Sequence, residues 1–439
     1  MSTTAFSMAQ AWNIPDVQRR LKFVIFALLI FVLGTHIPTP GISSTMISDF
    51  FGKGALGGIG LFGLLDLFTG GALRKFSVLA LGVIPYINAS ILMQILVAIE
   101  PRLKEIQQEG EEGRKRISKL TRYLAIAFAF LQGAGWVVGL QGGRLLSPDF
   151  SFPINFLAPL TALLSLVAGT CFLMWLGDEI TEKGIGNGIS LIIFIGIVAR
   201  LPQSIAQEVQ QAAFEQARWV ALLFFLGFLI IVVAGVVFIQ LSVRKIPIQY
   251  ARRQVGRKIY GGQSTFLPIK VAMAGVIPII FAISVLSIPD TILTFMPHLT
   301  RANSLWNRFQ NSFSYLVVEW ILVFVFTFIY TAIIFNTKEI SDNLRKHGGF
   351  IPGIRPGKPT FEFLDKVLHR VTFFGAVFLA TITVIPIIIN MLVYEISQVQ
   401  VTQFYIGGTS LLIVVGVALD TVQQLQAHMI MRHYSGFTK

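Results

Sequence analysis

The sequence predicts an all-α polytopic membrane protein with ten transmembrane helices, in two inverted, pseudo-symmetric halves of five. Three observations carry that reading: composition, the spacing of charge-free runs, and an internal repeat. Of 439 residues, 54% are hydrophobic and only 13% charged, with a mean hydropathy of +0.71; soluble domains carry roughly a quarter charged residues. That much apolar surface exceeds what one globular core can bury, so lipid must be part of the solvent.

Mostly apolar runs free of Asp, Glu, Lys and Arg cover 76–99, 123–143, 150–177, 219–243, 271–289, 320–337 and 371–394. Each can cross a hydrocarbon core of about 30 Å as a helix of roughly 20 residues. Three weaker runs, 23–37, 184–199 and 404–419, complete the ten. With the amino terminus on the cytoplasmic side, 27 of the 35 Lys and Arg residues fall inside, as the positive-inside rule requires. The net charge of +13 is therefore largely a topology signal. The carboxyl terminus is also expected inside, and no cleavable leader is read ahead of Phe23.

Between the first two runs, Ala55 to Leu73 is a short apolar stretch bracketed by glycines and interrupted by Asp66. Too short to cross, it reads as a re-entrant half-helix lining a cavity; an interfacial helix is the alternative.

The repeat lies in the spans themselves. Gly82-Val83-Ile84-Pro85-Tyr86-Ile87 in the second matches Gly275-Val276-Ile277-Pro278-Ile279-Ile280 in the seventh at five of six positions. Gly188-Ile189-Ser190-Leu191-Ile192-Ile193 in the fifth matches Gly408-Thr409-Ser410-Leu411-Leu412-Ile413 in the tenth at four of six. Paired spans run in opposite directions, the mark of an inverted repeat with its path between the halves. The halves are taken as residues 1–200 and 201–439. Pro85 and Pro278 are expected to kink or loosen their helices.

Val83 with Ile87, and Ile189 with Ile193, stand one helical turn apart, and Ile280 and Ile413 are the repeat-related places of Ile87 and Ile193. Meeting at midplane, they would form a partly buried apolar collar that excludes ions by dewetting; lipid-facing or packing roles are the alternative. Asp178, Glu319 and Asp420 are placed at span ends, so no intramembrane carboxylate is expected for ion coupling.

The cytoplasmic loops at about 244–270 and 338–370 are long and basic. The first carries Arg244, Lys245, Arg252, Arg253, Arg257 and Lys258; in the second, two Pro-Gly pairs present Arg355 on a constrained tip. Both suit an acidic partner or RNA phosphates. No catalytic motif or histidine ligand spacing occurs, and Gly52 to Gly57 matches a nucleotide-binding pattern by letters alone. The lone Cys171 reads as a small buried hydrophobe. No enzyme, cofactor or metal is expected.

Trp12 to Pro15, Gly82 to Ile91, Gly184 to Ser190, Tyr260 to Lys270, Ala274 to Ile280, Ile351 to Gly357 and Phe404 to Val415 together resemble the SecY family, pore subunits of the bacterial protein-conducting translocon. That resemblance implies an hourglass channel for unfolded preproteins in the bacterial plasma membrane, able to release membrane segments sideways into lipid. It places a pore ring on Val83, Ile87, Ile189, Ile193, Ile280 and Ile413. It also places a plug at about 59–68, comprising Ile59, Leu61, Phe62, Leu64, Leu65, Asp66, Leu67 and Phe68, and a lateral gate at Pro85, Asn88 and Pro278. The basic residues above would contact the ribosome and the SecA motor. SecE would clamp the halves, with SecG as a peripheral companion. Ala272 stands where the family often has Asn, leaving Asn88 as a source of gate polarity. The competing reading is an inverted-repeat secondary transporter for a small solute.

Overall fold

A computed structural model describes residues 14–40, 42, 66, 68–142, 157–213, 216–250, 253–255, 258–260, 264–289, 293, 305–306, 308–310, 312–397 and 408–435. The first helix, α1 (Pro15–Gly34), opens on a proline that needs no amide partner there, with Asp16 favouring the positive helix start. It buries Val17, Val24, Ala27 and Phe31 along one stripe. The first half continues with α2 (Ile84–Ile99), α3 (Pro101–Gln108), α4 (Glu111–Gly142), α5 (Leu157–Lys183) and α6 (Gly188–Ala212). A bend of 100° separates α2 from α3, at Pro101, where a helix cannot simply continue. The second half holds α7 (Gln216–Leu241), α8 (Ile277–Leu286), α9 (Phe313–Ile334), α10 (Thr337–Lys346), α11 (Lys358–Ser397) and α12 (Gly408–Ser435).

Each of the ten expected runs overlaps one of these helices. Among the described residues, five helical stretches are long and apolar enough to cross a membrane by themselves, and the bent α2–α3 pair makes a sixth if counted as one span. Parts of α6 and α7, and all of α8, are shorter apolar helices.

The repeated hexamers mark helix starts. Helices α2 and α8 begin at the equivalent Ile84 and Ile277, each preceded by a turn whose glycine, Gly82 or Gly275, has φ +59°. Only glycine adopts that conformation freely. Helices α6 and α12 likewise begin at the equivalent Gly188 and Gly408. This corrects the reading of Pro85 and Pro278 as mid-span kinks: both lie in a first helical turn, where no intrahelical acceptor awaits the missing N–H. The charge-free run was misleading because the preceding turn is itself buried; Leu79, Ala80 and Leu81 are at most 4% exposed.

The halves also pack alike. In the first, α2 lies on α4, α4 on α5, α5 on α6, and α1 on both α5 and α6; in the second, α8 lies on α9, α9 on α11, α11 on α12, and α7 on both α11 and α12. The halves meet where α2 touches α8, α6 touches α12 and α7, and α1 touches α12. One apolar cluster runs through all of these helices except α3 and α10.

A second core lies outside it. Strand β1 (Val243–Tyr250) pairs antiparallel with β4 (Ser264–Lys270), from Val243 opposite Lys270 to Gln249 opposite Ser264. Its far end pairs with β5 (Gly349–Phe350). Short strands β2 (Arg253–Val255) and β3 (Lys258–Tyr260) pair with each other. Ile246, Ile248 and Ile269 pack with Leu344, Ile351, Leu364 and Leu368 from α10, the turn after β5, and α11. The two basic loops therefore form one folded unit. Cys171 is only partly buried, packed against Ala89, Ala125 and Met174.

An apolar collar, a seam and a basic platform

On α2, Val83 is the residue before the helix, and its carbonyl accepts the Ile87 N–H at 3.0 Å; Val276 and Ile280 repeat that bond at 3.3 Å on α8. The start of α6 is held by Asn187, whose Oδ1 accepts the N–H groups of Ile189 and Ser190, and by Thr181 Oγ1, which accepts the Gly188 N–H at 2.9 Å. Such caps satisfy helix-end amides and fix where Ile189 and Ile193 emerge. All six expected collar residues belong to the one apolar cluster. Val83, Ile193 and Ile413 are 2%, 3% and 1% exposed, more buried than expected, whereas Ile87, Ile189 and Ile280 are half-buried.

Of the expected plug, Ile59, Leu61, Phe62, Leu64, Leu65 and Leu67 lie outside the described residues. Asp66 and Phe68 are described, and both are buried. Asp66 Oδ2 is 2.5 Å from Nη1 of Arg200 on α6 and 3.5 Å from Nε of Arg74. Arg200 is not among the residues the sequence singles out. The available signal was the lone acid in an apolar stretch, a group that demands a cation when buried.

The seam between halves is α2 against α8. Ile87, Ile91 and Ile95 pack with Ala274 and Phe281, backed by Phe326 and Tyr330 of α9. Phe281 meets both of those rings edge-on, at centroid distances of 5.9 and 5.7 Å, a favourable quadrupole geometry. Pro85 and Pro278 begin the two seam helices. Asn88 sits half-buried on α2, its Oδ1 enclosed without a hydrogen-bond partner; Ala272 is buried and offers it none.

On the basic unit, Arg244 and Lys245 are exposed along β1. Arg253 and Lys258 lie on the β2–β3 pair, while Arg252 and Arg257 fall outside the described residues. Arg355 is exposed on a braced turn: Thr360 Oγ1 donates to the Arg355 carbonyl at 2.8 Å, and Ser341 Oγ to that of Gly357 at 3.1 Å. Of the three acids expected at span ends, Asp178 pairs with Arg122 at 2.9 Å. Glu319 is instead 3% exposed, because α9 starts earlier than its charge-free run and draws Glu319 into its second turn.

Two similarly packed helical halves, meeting on an aliphatic surface and along a seam, are the architecture of a membrane channel. A family model described as SecY matches residues 77–422, and the chain belongs to the SecY family. Protein translocase subunit SecY of Thermotoga maritima is 45% identical over 98% of this chain and 96% of that protein. Its namesake in Escherichia coli K12 is 42% identical over 97% and 95%. Among solved structures, a protein-conducting channel matches with a TM-score of 0.65 at 17% identity, over 96% of this chain and 95% of that one. Sec61 in a canine ribosome–channel complex matches with a TM-score of 0.61 at 15% identity, again over 96% and 95%.

Proposed function

We propose that this chain is the pore subunit of a protein-conducting channel, passing unfolded preproteins across the bacterial plasma membrane and releasing apolar segments sideways into lipid. What supports it is that four repeat-related helix starts, two from each half, carry Val83, Ile87, Ile189, Ile193, Ile280 and Ile413, all members of the apolar cluster that runs through both halves; we read them as a collar. Aliphatic walls suit a polypeptide cargo because they accept any side chain without holding it, whereas charged walls would trap opposite charges. A narrow wall of this kind also resists water when empty.

Around the collar we place ten spans in halves 1–200 and 201–439, with both termini cytoplasmic. Residues 59–68 close the outer side, and the α2–α8 seam is the lateral gate. The basic unit, with Arg244, Lys245, Arg252, Arg253, Arg257, Lys258 and Arg355, docks the ribosome or SecA; a match described as a ribosome-bound channel complex supports that role. An apolar cavity of about 370 Å³ between α1, α6 and α12, lined by Leu21, Phe194 and Val417 among others, joins both halves and suits SecE as a clamp; SecG binds peripherally. The solute-transporter reading has no support among the relatives, which are named translocase subunits.

The test places a photo-crosslinking residue at Ile87 or Ile280 and stalls a precursor during translocation. Crosslinks from both positions to the precursor are expected. Crosslinks to lipid alone, with transport intact, would overturn the assignment.

A further inference from the structure

Among the described residues, Asp66 is a buried carboxylate with two cations beside it, Arg200 and Arg74. Its side chain is 3% exposed and that of its partner Arg200 is 19% exposed. The pair draws together residues 134 apart in sequence. Asp66 also organises the turn that follows it: Oδ1 accepts the Arg74 N–H at 2.9 Å, and its carbonyl accepts from Thr69 Oγ1 at 3.1 Å and the Gly71 N–H at 2.9 Å. The turn is pressed onto α6. A Cβ on Gly196 would lie 2.9 Å from the Phe68 carbonyl oxygen, and one on Gly70 3.2 Å from Gly196 Cα, so only glycines permit this approach.

Helical geometry relates that contact to the collar. Ile189, Ile193, Gly196 and Arg200 follow one another at intervals of four, three and four residues, one stripe of α6. Arg200 stands about 10 Å beyond Ile193 along the helix axis. The stripe that supplies two collar residues thus ends in the cation holding Asp66.

We propose that Asp66 and Arg200 form an ionic latch that sets how readily the channel opens, and so which signal sequences pass. The idea rests on the collar reading above. A buried ion pair adds little net stability over an apolar contact of the same size, yet removing one partner is strongly unfavourable. Its use here is conditional. In the dry resting state the attraction is weakly screened; once water enters a widening collar, higher polarity weakens the attraction and solvates both ions. The latch therefore grips when the path is closed and yields as it hydrates, making opening cooperative.

Asp66→Asn keeps the Oδ1 acceptor for the turn but replaces the charged Oδ2 acceptor facing Arg200 with an amide N–H, while Arg200→Gln removes the nearer of the two cations and leaves Arg74 at 3.5 Å. With Arg74 still beside Asp66, either change is expected to weaken the closed state by about the ~1.4 kcal/mol equivalent to a tenfold population change. Each variant, purified as the full complex, should therefore raise resting ion leak and export of a precursor with a defective signal by about tenfold. In a Cys171→Ser background, Asp66→Cys with Arg200→Cys should leak similarly; bridging the two thiols with a short bifunctional reagent should restore the seal and stop transport, while capping each thiol separately should not. Parental leak and signal stringency in both charge variants, or full transport by the bridged protein, would overturn the latch. Ile87→Ser/Ile280→Ser, measured alongside, separates the two ideas: if it leaks while the latch variants stay tight, the latch is wrong and the collar stands; if it too is tight, the collar reading fails.

Discussion

Replacing Ile87 and Ile280 together by serine is expected to open a resting ion leak while the protein remains folded and inserted. The choice of pair follows from burial. Ile193 and Ile413 are 3% and 1% exposed, and truncating a buried isoleucine costs about 2–5 kcal/mol, so changing those two confounds sealing with folding. Ile87 and Ile280 are half-buried. Full burial of an isoleucine side chain contributes about 1.5–3 kcal/mol, so each serine forfeits roughly 1 kcal/mol, a loss within the margin of about 5–15 kcal/mol that folded proteins keep. If it falls on the closed state alone, as when the open collar already faces water, roughly 2 kcal/mol shifts the open-to-closed ratio about thirtyfold. Conductance of the purified complex in planar bilayers reads the leak, and export of a defective-signal precursor reads the stringency. A folded double variant as ion-tight and as selective as the parent would reduce these residues to packing and refute the pore assignment.

Three further perturbations address the seam and the basic unit. Asn88→Leu removes an enclosed oxygen that has no partner, a defect worth about 1–3 kcal/mol; thermal stability should rise and export through weak signals fall, and a fall in stability would contradict the account. Arg355→Glu should leave insertion and resting conductance unchanged but impair binding of the ribosome or SecA in a sedimentation or pull-down assay. Unchanged binding and transport would remove Arg355 from the docking surface. Ile248→Asp places a charge in the second core, where that side chain is 3% exposed; limited proteolysis should then cut within 244–270 while the collar stays ion-tight, and resistance to cleavage would show that the unit does not depend on that core.

Much of the helical layout was legible because its causes are local. Run length reports what can cross lipid, and the repeated Gly-Val-Ile-Pro places a left-handed glycine and a proline just where a helix begins. Hydropathy failed over residues 77–83 because a turn buried in protein is as apolar as a helix. The sheet was hidden for another reason. Pro247 and Pro268 argue against strands, yet β5 reaches only Gln249 and Tyr250, so among the described residues no strand pairs with that side of β1 at Pro247 and the missing N–H goes unneeded there. Arg200 was illegible because only the folded chain shows that its guanidinium turns toward Asp66 instead of water.

Where the two halves cease to match, function separates. The helices pack in the same pattern in both, but the Asp66–Arg200 pair belongs to the first half alone and the folded basic unit to the second. On the proposed reading the collar draws on both halves while the latch and the docking unit sit on opposite ones, so any effect of docking on the latch must cross the interface between halves. The interface includes the α2–α8 seam, where Phe281 packs on Ile91, and the contact between α6 and α12. Helix α12 also reaches the basic unit directly: Lys270, the last residue of β4, donates to Gln423 Oε1 at 2.8 Å, ten residues along α12 from Ile413. A partner that shifts β4 therefore has a physical link to a collar helix, and α6, which α12 touches, carries Ile193 and Arg200 on one stripe.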